Sequence, residues 1–341
     1  MKYSIGAVRP LMLGLAGAAA MMSPAIAQDV MGFYKGKTVT MTMGTRPGGS
    51  FQVYAQVFAR HMPNHIPGKP TIVPNYMPGA GGTKAANYLY SVAAQDGSQM
   101  LMSHAIPLAQ RLRPKGIKYK AEKFQWLGAF GAITQMITLW NGAPVKTLDQ
   151  LKKQEVIMSA FAKNHLTYQW LYLANQTLGT KIKIVTGYRG GAKNNLAMQQ
   201  GETHGWAASW GNLSATKPDW LRDKKVNILV NFGLERLADL PDVPTLLELV
   251  KPEDRPIVDF IASGTPISRA FAYGPGVPAD RVAAGRTAMA KTLADPNFLA
   301  EAKQRNLPLR PRSWQETTAL VDKIVNASPE LVAKVKTATG Q

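Results

Sequence analysis

Two glycine-rich turns occupy equivalent positions in this chain, each between a predicted strand and a predicted helix. The first reads Arg-Pro-Gly-Gly-Ser at 46–50, and the second reads Pro-Gly-Ala-Gly-Gly-Thr at 78–83. A helix start carries unpaired backbone N–H groups and the positive end of the helix dipole, so it attracts anions. Glycine lets a ligand oxygen approach that backbone because no Cβ stands in the way. Together the turns predict an anion site, although either one alone is more typical of an ordinary tight connection.

Strands and helices alternate along the chain. Strands are predicted at 39–44, 71–76, 100–103, 126–132, 134–140, 156–159, 183–186, 205–209 and 227–231, and helices at 166–178, 192–200, 279–293 and 313–326. The rest of the C-terminal part is predicted to be mainly helical. Strands that alternate with helices pair in parallel, with helices over both faces of the sheet. The pattern therefore predicts an α/β protein with parallel-rich sheets.

The strand–helix series occurs twice, and the second series is inserted before the C-terminal helices. We therefore expect two lobes: lobe 1 from residues 28–127 and 232–341, and lobe 2 from residues 128–231. A ligand would lie in the cleft between them, at the carboxyl ends of the strands, and the lobes would close on it by a hinge motion. One continuous domain is the alternative, and the sequence leaves it open.

The N-terminus has the features of an export signal. Lys2 and Arg9 form a basic segment, residues 11–20 are apolar, and an Ala-Ile-Ala sequence ending at Ala27 matches a cleavage site. We expect a signal peptide at 1–27 and a mature, soluble protein in the periplasm. The sequence has no cysteine, which excludes a thiolate nucleophile, a disulfide framework and a lipoprotein anchor.

The formal net charge is +19, but the lysines and arginines are scattered along the chain. The sequence has no basic stripe interleaved with aromatic residues, so we expect no nucleic acid and no lipid surface as partner. The charge is better explained as a solvated basic surface that modestly steers anionic ligands. The sequence also lacks an HExxH metal motif and the Gly-Lys-Ser/Thr end of a phosphate loop. No metal and no cofactor are therefore expected.

Several short blocks, taken in order, resemble the Bug-type receptors of tripartite tricarboxylate transporters. They include Phe-Tyr-Lys-Gly-Lys-Thr-Val at 33–39, the two glycine turns, Ala-Ala-Asn-Tyr-Leu-Tyr at 85–90, Gly-Tyr-Arg-Gly-Gly at 187–191, Leu-Pro-Asp-Val-Pro-Thr at 240–245 and Gly-Val-Pro-Ala at 276–279. The resemblance covers nearly all of the predicted mature chain. It implies a type II-like, two-lobe periplasmic binding protein, not an enzyme. Such a protein captures a small carboxylate as a monomer and hands it to permease subunits in the inner membrane.

Carried over position by position, the resemblance implies that lobe 1 holds one carboxylate, largely through backbone N–H groups and ordered water. The positions in the two turns and at the end of the third strand are Gly48, Gly49, Ser50, Gln52, Pro78, Gly79, Ala80, Gly81, Gly82, Ser103 and His104. Gln52 stands where the family usually has aspartate. It either changes selectivity for the distal group of the ligand or is a surface variation, and the sequence does not separate the two.

Across the cleft, the strand ends of lobe 2 would meet the distal part of the ligand. These positions are Ser159, Ala160, Tyr188, Arg189, Gly190, Ser209 and Trp210. Trp210 lies just beyond a predicted strand and is the aromatic side chain expected in the cleft. An aromatic acid therefore stays among the candidate ligands, with dicarboxylates, tricarboxylates and amino acids.

A secreted serine-type carboxylic ester hydrolase is the alternative function. The sequence Ala-Ala-Ser-Trp-Gly at 207–211 imitates a nucleophile elbow, in which glycines permit a sharp turn between strand and helix. The first glycine of that motif is missing, and His104, His165 or His204 would need a nearby carboxylate to complete a triad. The sequence therefore favours a binding protein without catalytic residues.

Overall fold

The computed structural model describes residues 24–163 and 165–341. Most of the predicted signal peptide, residues 1–23, lies outside the described residues, so its cleavage and the export of the chain remain predictions. Across the ranges that the structure covers, no helix has the length and hydropathy needed to cross a membrane.

The described ranges contain fifteen α-helices and ten strands. In chain order they are α1 (Pro24–Tyr34), β1 (Thr38–Met43), α2 (Ser50–His61), β2 (Thr71–Tyr76), α3 (Thr83–Ser91), β3 (Gln99–Ser103), α4 (Ile106–Leu112), β4 (Gln125–Gly131), β5 (Gln135–Trp140), α5 (Leu148–Lys153), β6 (Val156–Ala160), α6 (Leu166–Leu178), β7 (Ile182–Thr186), α7 (Gly191–Gln199), β8 (Gly205–Ser209), α8 (Trp210–Thr216), α9 (Pro218–Arg222), β9 (Val226–Asn231), α10 (Leu246–Leu249), α11 (Arg255–Ala262), β10 (Arg269–Tyr273), α12 (Ala279–Ala294), α13 (Pro296–Gln304), α14 (Trp314–Val325) and α15 (Pro329–Ala338). Short 3₁₀ helices lie at Met62–His65, Ala80–Gly82, Ala121–Lys123 and Pro252–Asp254.

The strands form two five-stranded sheets with the same pattern of pairing. The first sheet has the order β2-β1-β3-β10-β4, and the second has the order β7-β6-β8-β5-β9. In each sheet three neighbouring strands run parallel, and the fourth strand, β10 or β5, runs antiparallel to both of its neighbours. Helices join the parallel strands, as the alternation of strands and helices predicts. The predicted fold class, an α/β protein with two lobes, is confirmed.

The C-terminal part is mainly helical, as the sequence predicts, but it also contains strand β10, which the sequence does not predict. This strand inserts between β3 and β4, and all five of its residues are buried. Its sequence, Arg-Ala-Phe-Ala-Tyr, has alanine at alternate positions and lacks the β-branched residues that are typical of strands. Tertiary pairing on both sides, rather than local propensity, therefore makes this segment a strand.

An aromatic cluster fixes α2 on the first sheet. The ring centroid of Phe58 in α2 lies 4.5 Å from that of Phe130 in β4 and 4.9 Å from that of Phe271 in β10. Tyr54, one turn earlier, is buried and donates its hydroxyl to the carbonyl oxygen of Pro308 at 2.6 Å. Side chains four residues apart lie on the same face of a helix. This face holds α2 against the sheet and so determines where its N-terminus lies.

The chain passes between the two sheets twice. The strands of the first sheet come from residues 38–131 and 269–273, and those of the second come from residues 135–231. The first passage is the short segment 132–134 between β4 and β5, and the second follows β9. Two such connections are the geometry in which two lobes can move about a hinge.

Candidate functional site

The two glycine-rich turns lie directly against each other. Strands β1 and β2 pair in parallel with Met43 opposite Tyr76, so both turns follow at the same end of the sheet. The backbones touch there, because a Cβ built on Gly44 would lie 2.3 Å from the Cα of Gly82. Glycine at position 44 is what allows this approach. Helices α2 and α3 therefore begin side by side at one edge of the first sheet.

The first turn leaves the start of α2 open. Gly48 has a φ of +94°, whereas Gly49 is extended at φ −126° and ψ 179° and provides no side-chain cap. A Cβ at either glycine would meet no atom within 4 Å. The side chain of Gln52 turns back, and its Oε1 accepts a hydrogen bond from the N–H of Gly48 at 2.7 Å. Gln52 thus braces the turn, while a side of the turn stays accessible.

The second turn contains four successive residues with positive φ. The angles are +155° for Gly79, +46° for Ala80, +63° for Gly81 and +96° for Gly82. This region has a steric cost for alanine that it does not have for glycine, so the surroundings must hold Ala80 in place. Gly82 precedes α3 without a side-chain cap, and Pro78, Ala80 and Gly81 are exposed. The turn is therefore accessible at residues 80 and 81, whereas Gly82 and Thr83, at the start of α3, are buried.

Two residues at the end of β3 pack beside the turns. The ring of His104 stacks on Phe51 with centroids 4.3 Å apart, and its Cδ2 lies 3.1 Å from the Cβ position of Gly82. Burial, with a smaller contribution from the charge of Arg269, lowers the pKa of His104 to about 4, so the imidazole is neutral at neutral pH. Ser103 is buried, and its Oγ has no hydrogen-bond partner among the described residues. A buried hydroxyl without a partner can form a hydrogen bond with a bound ligand.

The strand ends of the second sheet carry four of the predicted positions. Ser159 and Ala160 end β6 and are fully buried. Ser209 ends β8, and its Oγ accepts a hydrogen bond from the N–H of Asn212 at 3.3 Å, which caps α8. Trp210 begins α8 and is half-buried. Of this group, Trp210 has the side chain with most freedom to meet a ligand.

The loop before α7 carries the other three predicted positions. The Nδ2 of buried Asn194 donates to the carbonyl oxygen of Tyr188 at 2.6 Å and to that of Gly190 at 2.8 Å. Arg189, between them, is exposed. The structure therefore fixes the backbone of this loop at the start of α7 and leaves the guanidinium of Arg189 in solvent.

His165, which no sequence signal assigns to a ligand site, lies between β6 of the second sheet and α6. Burial, followed by the charges of His104 and Arg113, lowers the pKa of His165 to about 3. His104 follows β3 of the first sheet, so this interaction connects residues that follow strands of different sheets. Nδ1 of His165 accepts the N–H of Thr167 at 3.1 Å, and the ring stacks on Phe161 with centroids 4.4 Å apart. An accepting Nδ1 places the proton on Nε2, which can then donate to a ligand.

Arg269, the first residue of β10, is a second residue that the sequence does not indicate. It is 1% exposed, and it donates from Nη1 to the carbonyl oxygen of Ala132 at 2.9 Å and from Nη2 to the Oγ of Ser50 at 2.8 Å. Its guanidinium carbon lies 4.5 Å from the ring centroid of Tyr54. Burial lowers the pKa of Arg269, yet a guanidinium stays charged. Because β10 is antiparallel to β3 and β4, its first residue lies at the edge where those strands end.

This edge is rich in hydrogen-bond donors. It combines the open start of α2 with the unpartnered hydroxyl of Ser103, imidazole N–H groups and one buried guanidinium. The charged groups that shift the pKa values of His104, His165 and Arg269 include no carboxylate. In the ranges covered by the structure, no group of three or more His, Cys, Asp or Glu side chains could hold a metal ion. The arrangement can bind an anion through convergent hydrogen bonds.

Two α/β lobes with such an edge have the fold of a periplasmic solute-binding protein. The chain is similar to the periplasmic binding protein BugD, with a TM-score of 0.68 and 20% identity over 89% of this chain and 98% of that one. It is also similar to MatC from Rhodopseudomonas palustris with bound malate, with a TM-score of 0.66 and 21% identity over 89% and 99% of the two chains. A further R. palustris protein, with adipate, gives a TM-score of 0.68 and 19% identity over 89% and 97%.

At these identities the likeness shows the fold, and it confirms the fold that the resemblance to Bug-type receptors implies. No protein-family model matches the sequence, and no curated protein matches it.

Proposed function

We propose that the protein is a periplasmic solute receptor that binds a small carboxylate between its lobes. The observation that carries the proposal is the backbone contact between Gly44 and Gly82, which puts two helix starts without side-chain caps at one edge. An ionised carboxylate makes good use of several convergent N–H donors. The fold gives support, since the structures of MatC and the second R. palustris protein hold malate and adipate.

In this proposal one carboxylate docks on the backbone of residues 48–50 and 78–82, beside the hydroxyl of Ser103 and the ring of His104. The accessible side of Gly48 and Gly49 supports this position, because a Cβ there would meet nothing within 4 Å. Gln52 contributes through its hydrogen bond to the first turn, which shapes the backbone that the carboxylate meets.

The distal part of the ligand meets lobe 2 at Ser159, Ala160, Tyr188, Arg189, Gly190, Ser209 and Trp210. The hydroxyls of Ser159 and Ser209 already have partners, since Ser159 lies 3.5 Å from the carbonyl oxygen of Gly205 and Ser209 caps α8. The side chains of Trp210 and Arg189 are less restrained. We therefore assign selectivity for the distal group to these two, so an aromatic or a second acidic group is the expected chemistry there.

We propose that lobe 1 comprises residues 28–127 and 232–341, that lobe 2 comprises residues 128–231, and that the passages between the sheets form the hinge. Sheet membership supports this division except at the first boundary, because β4 of the first sheet continues to Gly131. It also favours a first hinge at 132–134, because β4 pairs through Gly131 with Arg269 of the first sheet.

The cellular role follows from the same proposal. We infer that the receptor works as a monomer in the periplasm after removal of residues 1–27, and that it delivers its ligand to tripartite tricarboxylate-type permease subunits in the inner membrane. The Bug-type fold supports this assignment. The alternative, a serine-type ester hydrolase, gains no support from Ser209, because the described contact of its Oγ is the helix cap from Asn212.

A thermal-shift screen tests the proposed function. Residues 28–341 are unfolded and refolded to remove carried-over ligand, then heated with malate, citrate, adipate, aspartate or benzoate at moderate salt. A ligand that binds only the native state adds about 2.7 kcal/mol when its concentration is a hundred times the Kd. At least one acid should raise the Tm. A refolded protein with native circular dichroism that no acid stabilises would contradict the proposal.

A further inference from the structure

The side chain of Arg269 combines complete burial with an incomplete set of hydrogen bonds. A guanidinium has five N–H donors, and the partners of this one are the carbonyl oxygen of Ala132 and the Oγ of Ser50. The Nε is buried and has no hydrogen-bond partner in the part of the chain that the structure describes. The side chain therefore keeps donors that its surroundings do not use.

The charge of Arg269 is equally uncompensated. Among the described residues the guanidinium has no ion pair with a carboxylate, and besides burial the group that acts on its pKa is the phenol of Tyr54. Taking a cation out of water without an anionic partner is strongly unfavourable. The rings of Tyr54 and Phe51, 4.5 and 5.4 Å from the guanidinium carbon, offset a part of this cost by cation–π attraction. A buried charge of this kind favours the entry of an anion.

The guanidinium also lies at the right place for such an anion. Its partner Ser50 is the first residue of α2, directly after the turn of Gly48 and Gly49. On the other side, a Cβ at Gly211 in α8 would lie 3.2 Å from Nη1. Glycine at position 211 thus makes room for the guanidinium at the contact between the lobes.

We propose that Arg269 is a ligand-binding residue that pairs with the carboxylate seated at the first turn. Its unused N–H donors complete the set of donors provided by the start of α2. Movement of α8 away from the first lobe uncovers the guanidinium to an incoming ligand. The inference rests on the proposed function and deepens it, because it requires that the group at this position is ionised.

The ligand class follows from the pairing. A site that neutralises a buried cation discriminates strongly against an uncharged isostere, since that isostere leaves the charge unpaired. We expect a carboxylic acid to bind about 100-fold more tightly than its amide, which is the upper end of the usual cost of leaving a buried donor unsatisfied. An amide or an ester is therefore a poor ligand, whatever the distal group.

Two substitutions and a control test the role of Arg269. Arg269→Met removes the charge and keeps an unbranched apolar stem, and Arg269→Lys keeps the charge and removes the planar fork. Arg286→Met is the control, because Arg286 also donates to a carbonyl oxygen, that of Trp126 at 3.0 Å, and covers the ring of Trp314 at 3.7 Å. The ligands are malate, adipate and benzoate, each compared with its full amide by calorimetric titration.

The wild type and the Arg286→Met protein should prefer at least one acid over its amide by about 100-fold, and Arg269→Met should reduce the preference to below about tenfold. The ligand-free Tm of Arg269→Met should equal or exceed that of the wild type, because an unpaired buried charge is removed. A residue with only a structural role would instead lower that Tm and leave the preference unchanged.

The remaining outcomes separate this inference from the proposed function. If the wild type binds neither these three acids nor the citrate and aspartate of the thermal-shift screen, both fail. If the wild type binds and Arg269→Met binds the same acid with unchanged affinity, only the role of Arg269 is overturned. If Arg269→Met does not fold, Arg269→Lys decides. The Arg269→Lys protein should still prefer the acid over its amide, but its affinity for the acid should drop by about tenfold because the bidentate geometry is lost. An unchanged affinity for the acid would refute the pairing of Arg269 with the carboxylate.

Discussion

At the scale of single residues, the two cleft histidines determine how stability depends on pH. Burial is the main cause that lowers the pKa of His104 to about 4 and that of His165 to about 3, whereas an exposed histidine titrates near pH 6.5. Between these values the unfolded chain binds protons that the folded chain does not. Stability should therefore fall as the pH decreases from about 6.5 towards 4, by on the order of 2 kcal/mol for each histidine.

Thermal melts of the ligand-free protein between pH 7 and pH 4.5 measure this effect. The double variant His104→Asn, His165→Asn is the comparison, and its Tm should change less over the same window. A wild-type Tm that stays constant from pH 7 to pH 4.5 would show that the two imidazoles are not kept neutral by the fold.

The candidate site illustrates what a sequence can and cannot indicate about single residues. Glycines at 48–49 and 79–82 follow strands in the sequence, so their place at a sheet edge is predictable from strand direction alone. Arg269 starts a strand, and it reaches the same edge because β10 is antiparallel. His165 follows a strand of the other sheet, and it interacts with His104 although the two residues lie far apart in the sequence. Strand direction across the sheet and contact between lobes are tertiary properties, and no local pattern contains them.

At the scale of elements, an ionic cluster anchors the C-terminal end of α2 to α13. Glu301 accepts hydrogen bonds from Arg60 and from Arg305, and one of its oxygens lies 2.8 Å from Nε2 of His61. The hydrogen bond from Arg60 is the main reason that the pKa of Glu301 is lowered to about 2. Glu301→Gln should lower the free energy of unfolding by about 1 kcal/mol at pH 7.

The stabilisation by Glu301 is complete above pH 4.5 and is lost as the pH falls towards 2, because the carboxylate is then protonated. Urea titrations at pH 7 and pH 3 should therefore show a smaller difference between wild type and Glu301→Gln at the lower pH. Asp223→Asn, which breaks an exposed pair with Arg222, is the control and should have the smaller effect at pH 7. Equal stabilities of wild type and Glu301→Gln at pH 7 would refute the claim that Glu301 anchors α2 to α13.

The start of α8 provides a test that separates binding from hydrolysis. Because the Oγ of Ser209 caps the N–H of Asn212, Ser209→Ala should cost about 1 kcal/mol of stability. Ser214→Ala removes a hydroxyl that bonds back to the carbonyl oxygen of Trp210 within the same helix, and it should cost less. Neither change should affect hydrolysis of p-nitrophenyl esters, which should proceed at the spontaneous rate measured in buffer without protein. Ester turnover by the wild type that Ser209→Ala abolishes would reverse the interpretation.

Element bounds were predictable where local signals are strong. Strand β2 at 71–76, helix α6 at 166–178 and strand β8 at 205–209 have the predicted bounds. Gly179, which takes a φ of +69°, ends α6 in the way that a helix-stop glycine does. Strand β10 has no β-branched residues, and its pairing partners lie more than a hundred residues earlier in the chain. Its existence depends on contacts that a local window does not include.

At the scale of the whole molecule, the two sheets have the same pattern of strand pairing and are joined by two passages, the short segment 132–134 and the longer segment between β9 and β10. This construction predicts a closure of the lobes on the ligand. Small-angle X-ray scattering of the refolded protein should show a smaller radius of gyration after addition of a stabilising acid than before it. The Arg286→Met control should behave identically. An unchanged radius on saturation with a bound acid would contradict the hinge.

The central claim is that backbone groups at the two glycine turns bind a carboxylate, and Gly49→Val tests it most directly. Gly81 is unsuitable, because its φ of +63° would strain any side chain. Gly49 is extended, and its Cβ position is free of contacts, so valine should cost about 1 kcal/mol at this helix cap but should cover the N–H groups of α2. Gly32→Ala in α1, likewise free of contacts, is the control.

The measurement is a calorimetric titration of the tightest-binding acid of the thermal-shift panel into wild type, Gly49→Val and Gly32→Ala. We expect Gly49→Val to weaken binding by at least about tenfold, the loss of roughly one charge-assisted hydrogen bond, and Gly32→Ala to bind like the wild type. A folded Gly49→Val protein that binds the acid with wild-type affinity would contradict the claim that the turn is the carboxylate site.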